Sequence, residues 1–175
     1  MLSPWALGAN LSCRDDYDCS ITMKCINNVC QNVGLSLGKP CVTGTTDINT
    51  NCMPGLRCFT NSGVSVCVVD CTAPDTLLGR NPWRDVAADS RYQSLHCAPC
   101  DSSSNCTLAT HYRCNTGNYG NPSTTMSGCT TCPKLGSITA TSAPGTKNIT
   151  DCYIPSGTTV QETPGTYTLT ANCGY

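Results

Sequence analysis

The sequence predicts a small disulfide-rich fold: elongated tandem modules, mostly irregular, with short β-hairpins and at most one short helix. Three observations carry this expectation. Seventeen of the 175 residues are cysteine, close to the ~10% that marks a disulfide scaffold in a secreted chain. The usual core formers are scarce, at twelve Leu, six Ile, nine Val and one Phe, which falls below about a fifth of the chain. Charge is low as well, 12% with a net of −1, unlike the highly charged composition of a disordered chain. Burial alone therefore cannot offset the chain entropy. Disulfides do so by restricting the unfolded state, at about 2–4 kcal/mol each.

Such bonds persist outside the cytosol, so an extracellular, secreted protein is expected. The opening, Met1 to Ala9, has no basic stretch and is interrupted by Pro4, so it does not read as a signal peptide. The numbering is expected to begin on a mature chain or on a piece of a longer one. No apolar run approaches the ~20 residues of a membrane-spanning helix, so no membrane insertion is expected. The near-neutral charge argues against nucleic acid or an anionic membrane as the main partner. The competing reading is a cytosolic chain that binds metal through its thiols.

Residues 1–12 form an apolar N-terminal arm containing Trp5, which no internal disulfide can hold. Such an arm is expected to pack either on its own body or on a neighbouring copy. An internal repeat follows. In module 1, residues 13–33, Cys13, Cys19, Cys25 and Cys30 bracket loops of five, five and four residues. In module 2, residues 34–71, Cys41, Cys52, Cys58 and Cys67 bracket ten, five and eight. The central loop has one length in both copies, and the flanks match: Asp18 and Asn51, Lys24 and Arg57, Val29 and Val66 each precede equivalent cysteines. First-to-third and second-to-fourth pairing is the natural guess, although four cysteines allow three connectivities and spacing does not choose among them.

Residues 72–96 contain no cysteine and read as a linker, with Cys71 at its edge. They carry a helix-start signal, Asn81 as N-cap and Pro82 at the first helical position, so a short helix is expected from Trp83 to about Ser90. Residues 97–175 hold Cys97, Cys100, Cys106, Cys114, Cys129, Cys132, Cys152 and Cys173, with long Thr-rich loops near the end. Strands are expected where Val64, Val66 and Val68 alternate, and where Tyr167, Leu169 and Ala171 alternate with threonines. Seventeen cysteines allow at most eight internal bridges. Sixteen, from Cys13 to Cys152, are assigned to disulfides, and Cys173, two residues from the end, is the candidate free or interchain thiol. A Cys152–Cys173 bridge with Cys71 as the orphan is nearly as good.

The segment Cys13-Arg14-Asp15-Asp16-Tyr17-Asp18-Cys19 resembles the opening of Dickkopf-like and colipase-like modules. Leu37-Gly38-Lys39-Pro40-Cys41 and Cys52-Met53-Pro54-Gly55-Leu56-Arg57-Cys58 are similar to repeats of secreted proteins from protists and invertebrates. In the second half, Cys114-Asn115-Thr116-Gly117-Asn118-Tyr119-Gly120 and Cys129-Thr130-Thr131-Cys132-Pro133 resemble EGF-like, ephrin-receptor-like and TNF-receptor-like modules. These resemblances imply an extracellular modular protein and no particular ligand.

Catalytic and metal chemistry find little support. The pairs Cys97/Cys100 and Cys129/Cys132 have zinc-ligand spacing within each pair, but two cysteines interrupt between them and the other cysteines also need a fate. Ordinary disulfides are favoured. Asp15, Asp16 and Asp18 supply oxygen donors of the kind calcium binds, yet Tyr17 sits where a second acid is wanted; turn stabilisation is the plainer role. The two histidines, His96 and His111, read as exposed loop residues. No enzyme activity and no cofactor are expected.

Asn10-Leu11-Ser12, Asn105-Cys106-Thr107 and Asn148-Ile149-Thr150 are N-glycosylation sequons. Asn148 is the best placed and Asn105, beside a bridged cysteine, the worst. Two functions remain. The first is a structural subunit of a surface filament, hair, coat or matrix, glycosylated, whose partners are copies of itself or other extracellular proteins. Trp5, Trp83, Tyr167 and Leu169 are its candidate assembly contacts. The second is a soluble binding module acting through disulfide-bounded loops 42–51 and 115–128, pre-organised so that less entropy is lost on binding.

Overall fold

The computed structural model describes residues 12–19, 23–79, 81–162 and 165–174. The fold is small and disulfide-rich, built from short antiparallel strand pairs with eight disulfides and one short α-helix among the described residues. The chain divides into two compact units, residues 1–82 with 96–109 and residues 83–95 with 110–175. Residues 97–109, expected with the second half, therefore group with the first. Each of the eight disulfides closes within one unit.

The first unit contains the repeat. Module 1 forms β1 (Met23–Ile26) and β2 (Val29–Asn32), and module 2 forms β3 (Leu56–Asn61) and β4 (Val64–Val69). Both hairpins turn over two residues with positive φ: Asn27 and Asn28 at 52° and 62°, Ser62 and Gly63 at 49° and 81°. That geometry follows the natural twist of paired strands, and Asn and Gly adopt it at the least steric cost. In each module the third cysteine lies on the first strand opposite the fourth on the second, Cys25 against Cys30 and Cys58 against Cys67. Bonding is first-to-third and second-to-fourth in both: Cys13–Cys25, Cys19–Cys30, Cys41–Cys58 and Cys52–Cys67. The entry strand repeats too. Ser12 bridges Val29 and Pro40 bridges Val66, each residue directly preceding the first and fourth cysteines of its module.

Gly34 explains how module 2 closes. Its φ is +138°, and a Cβ there would lie 2.8 Å from both the Asn51 carbonyl oxygen and the Met53 nitrogen. Only glycine lets the backbone approach that closely, and the contact is used: Leu35 N–H donates to Asn51 O and Met53 N–H to Leu35 O.

Beyond β4, residues 97–106 add to module 2. Ala98 N–H donates to Val69 O, Cys71 N–H to Ala98 O, and Thr60 N–H to Asp101 O. Cys71–Cys97 and Cys100–Cys106 fasten the segment. The core beneath is small: Phe59, Val68 and Ala98, with Val66, Cys106 and Leu108 against them. The helix α1 spans Asp75–Leu78, between Pro74 and Gly79.

This position corrects the helix expected at 83–90. Asn81 has φ +47°, outside the extended backbone an N-cap adopts. Arg84–Asp85 instead form β5, paired with Ser94 and Gln93. Strand pairing and the burial of Trp83, 7% exposed, override the local Asn-Pro signal, a weak prior beside tertiary context.

The second unit takes most of a three-stranded sheet, β5–β6–β7, with β6 at Tyr92–Cys97 and β7 at Ala109–Cys114. The division between units passes through β6 and β7. Tyr92 is buried beside the Cys114–Cys129 disulfide, its hydroxyl accepting from Cys129 N–H at 3.1 Å, with the Tyr112 ring edge-on. Then β8 (Asn118–Tyr119) pairs with β9 (Thr130–Thr131), and β10 (Lys134–Leu135) with β11 (Ile138–Thr139). Gly120, at φ +144°, is held so close to Gly128 that a Cβ would overlap the Gly128 carbonyl. Finally β12 (Tyr153–Ile154), β13 (Thr159–Glu162), β14 (Gly165–Thr168) and β15 (Cys173–Gly174) form two ladders, β12–β15 and β13–β14. Their core is Cys132, Ala140, Cys152 and Ile154, with Tyr119, Ile138 and Leu169 against it.

Candidate functional site

The C-terminal ladders carry the most available surface. The β13–β14 hairpin pairs Val160 with Tyr167 and Gln161 with Thr166, and no further strand joins it among the described residues. All four residues of β14 are exposed, Tyr167 at 55%. Between Ser156 and Thr170 the only charged side chain is Glu162, and six of the fifteen residues are threonine. β-Branched and aromatic residues favour strands. Natural edges are usually guarded by lysine, bulges or cover; a nearly uncharged hairpin edge lacks that guard. Beside it, Cys173 lies on β15 opposite Ile154, exposed and unbonded. Leu169 does not belong to this exposed surface. It lies just past β14, packs on the Cys132–Cys152 cluster, and exchanges hydrogen bonds with Gly157 and Thr158.

Trp83 is not available as a surface contact either. Arg113 lies over its ring at 4.7 Å, and Gln93 holds the guanidinium through Nε at 2.9 Å. No signal in the sequence links residues 83 and 113; the strand pairing of β5, β6 and β7 brings them together. Trp5 and Asn10 lie outside the described residues.

The aspartates of module 1 are engaged locally. Asp15 accepts from Tyr17 N–H, and Asp18 from Arg14 N–H at 2.7 Å. Asp16 accepts from Lys24 Nζ at 2.8 Å and from Cys25 N–H at 2.9 Å. Lys24 also donates to Leu77 O at 2.8 Å, tying module 1 to α1. Two open clefts of about 350 and 380 Å³ flank Tyr17 here. Lys24 thus stands to Asp16 much as Arg57 stands to Asp70, where Arg57 Nη2 reaches both carboxylate oxygens at 3.1 and 3.0 Å.

The sulfurs of Cys13, Cys19 and Cys30 lie within 4.8 Å of one another, as do those of Cys41, Cys52 and Cys58. All six are in disulfides, whereas a metal binds thiolate. The zinc-spaced pairs are divided likewise: Cys97 bonds Cys71, Cys100 bonds Cys106, Cys129 bonds Cys114 and Cys132 bonds Cys152.

The histidines fall in different units. His96 is exposed on β6. His111 is on β7 and 8% exposed. Both histidines thus lie on strands rather than in loops, and His111 is buried as well, because pairing in the β5–β6–β7 sheet sets β7, whose buried residues are His111 and Cys114. The clearest electrostatic perturbation is a surface pair. Hydrogen bonds from Arg91 hold Asp89 below the ordinary aspartate range, and the same contact raises Arg91. Arg91 also donates to Cys129 O.

Loop 42–51 is braced by itself. Asp47 accepts from Asn49 N–H and from its side-chain amide, and Asp47 O accepts from Thr50 and Asn51 N–H. Val42 and Ile48 are left exposed. In loop 115–128, residues 121–128 are largely exposed and include Met126.

Compared with family models, curated proteins and solved structures, this chain matches none.

Proposed function

We propose that this chain is an extracellular structural protein, a subunit that assembles with further copies of itself through its C-terminal strands. One observation carries the reading: strand β14 is exposed along its whole length, in a segment that is almost uncharged and rich in threonine, with Cys173 exposed on the ladder that follows it in the chain. An unpaired strand offers a row of backbone donors and acceptors to another chain. A contact of this kind that does not close on itself propagates into filaments. The eight internal disulfides support the extracellular placement and would stiffen each subunit. No catalytic role, nucleic acid or membrane insertion belongs to this reading.

The test is electron microscopy and sedimentation of the secreted chain at micromolar concentration. Concentration-dependent polymers are expected, weakened in Thr166→Lys and Thr168→Lys, where a charge is placed on the edge. Cys173→Ser should remove covalent links while leaving the polymer weaker but present. A monomer at every concentration would overturn the reading. It would favour the second one, a soluble binding module, which the self-braced loop 42–51 supports through low ordering cost on binding.

A further inference from the structure

We infer that Asn148 carries an N-linked oligosaccharide, attached to its side-chain amide. The assignment rests on the extracellular placement proposed above, but not on self-assembly. Asn148, Ile149 and Thr150 are all exposed, and Ile149 and Thr150 begin a single 3-10 turn that ends at Asp151. Asn148 occupies the N-cap of that turn with φ −111° and ψ 144°. An asparagine there ordinarily turns its side-chain oxygen onto the backbone N–H groups that follow. Here it makes no such bond. Main-chain bonds shape the turn instead, Asp151 N–H to Asn148 O at 3.1 Å and Cys152 N–H to Ile149 O at 3.0 Å. The fold therefore does not use the Asn148 amide, and substituting that nitrogen costs the turn nothing.

Two further observations favour this sequon. Ile149 is an exposed large aliphatic residue, 38% exposed, beside the acceptor. A sugar attached at the neighbouring residue can cover such apolar surface, which water penalises. Next along the chain, Cys152 is fully buried and bonded to Cys132, so the turn is anchored while Asn148 points outward. Asn105 is exposed as well, but the middle residue of its sequon, Cys106, is bonded to Cys100 only six positions away. That bridge ties the middle residue of the Asn105 sequon into a small closed ring, whereas no residue of the Asn148 sequon is a cysteine.

The transfer balances with one co-reactant, an oligosaccharide linked to a polyprenyl diphosphate. The amide nitrogen of Asn148 attacks the anomeric carbon. The N–C bond forms, the bond from that carbon to the diphosphate oxygen breaks, and polyprenyl diphosphate leaves with the electron pair. One amide proton passes to a base of the transferase.

The test is expression of the full chain through a eukaryotic secretory pathway. Peptides are mapped after enzymatic deglycosylation in heavy-oxygen water, which converts a glycosylated Asn to isotopically marked Asp. The mark is expected at Asn148 in the wild-type chain and not at Asn105. Asn148→Gln and Thr150→Ala should each remove one glycan from the intact mass. Asn105→Gln should leave that mass unchanged apart from the substitution itself. A secreted, disulfide-bonded chain with Asn148 unmarked overturns this assignment alone. A chain retained with its cysteines reduced overturns the extracellular reading and this assignment with it.

Discussion

Cys25 and Cys30 face each other directly across the β1–β2 hairpin, yet neither bonds the other; they bond Cys13 and Cys19. Cys58 and Cys67 repeat the arrangement. Each hairpin is thus stapled to the chain that enters it rather than across its own strands. Replacing both members of one bridge, as in Cys13→Ser with Cys25→Ser, should cost about 2–4 kcal/mol of unfolding free energy. The Cys71–Cys97 bridge has a sequence separation of 26 against 12. By loop entropy its removal should cost ~0.7 kcal/mol more. Guanidinium unfolding of the two double variants measures both.

Arg57 and Lys24 hold equivalent places before the third cysteine of each module, and each binds a carboxylate. The Arg57–Asp70 pair is mostly sheltered, at 24% and 19% side-chain exposure. Asp70 also accepts from Thr72 through both its N–H and its hydroxyl. Asp70→Ala should therefore cost about 1.5–3 kcal/mol, the range for a charged hydrogen bond. Arg57→Lys should cost less than ~1 kcal/mol. Lysine keeps the charge, as module 1 does, and it removes Arg57 Nε, a buried donor with no partner. Equal losses from the two variants in chemical unfolding would contradict this account of the pair.

Trp83 supplies much of the apolar surface buried near β5. Trp83→Ala should destabilise the second unit by about 3–5 kcal/mol, as for other buried aromatic truncations. Arg113→Met, which keeps most of the stem but removes the cation over the ring, should cost about 0.5–2 kcal/mol. Tryptophan fluorescence follows the unfolding in the second variant.

Asp89 gives a pH dependence with a defined sign. Its carboxyl is held below the ordinary value by hydrogen bonds from Arg91. An aspartate with a lowered folded pKa contributes its full stability above the unfolded pKa of about 3.9. That contribution is lost as pH falls through the lowered folded value. Arg91, raised by the same contact, stays charged throughout this window. NMR titration of the Asp89 carboxyl should show a midpoint below the ordinary range, and Arg91→Gln should return it upward.

The cysteines made the fold class legible, and matched flanks at Asp18/Asn51 and Lys24/Arg57 made the repeat legible, because disulfide modules keep their spacing. The helix was not. Asn81-Pro82 is a good start signal, but Trp83 is buried and Arg84–Asp85 pair with β6, so a long-range contact decided it. The real α1 has its own punctuation, Pro74 as its N-cap before Asp75 and Gly79 after Leu78 at a positive φ of 93°, a backbone conformation that glycine adopts without steric cost. His111 was misread because its strand, β7, is set by pairing rather than by a clean alternation. The exposed C-terminal hairpin was partly legible in its threonines, whereas the turn of Leu169 onto the Cys132–Cys152 cluster depends on packing that spacing does not encode.

The most direct measurement is a disulfide map of the native chain, digested without reduction after exposed thiols are alkylated. The account predicts eight intrachain bridges, with Cys13–Cys25 and Cys19–Cys30 repeated as Cys41–Cys58 and Cys52–Cys67. It also predicts Cys173 either alkylated or bonded to Cys173 of a second chain. A bridge between Cys173 and Cys152, leaving Cys132 or Cys71 as the alkylated residue, would contradict it.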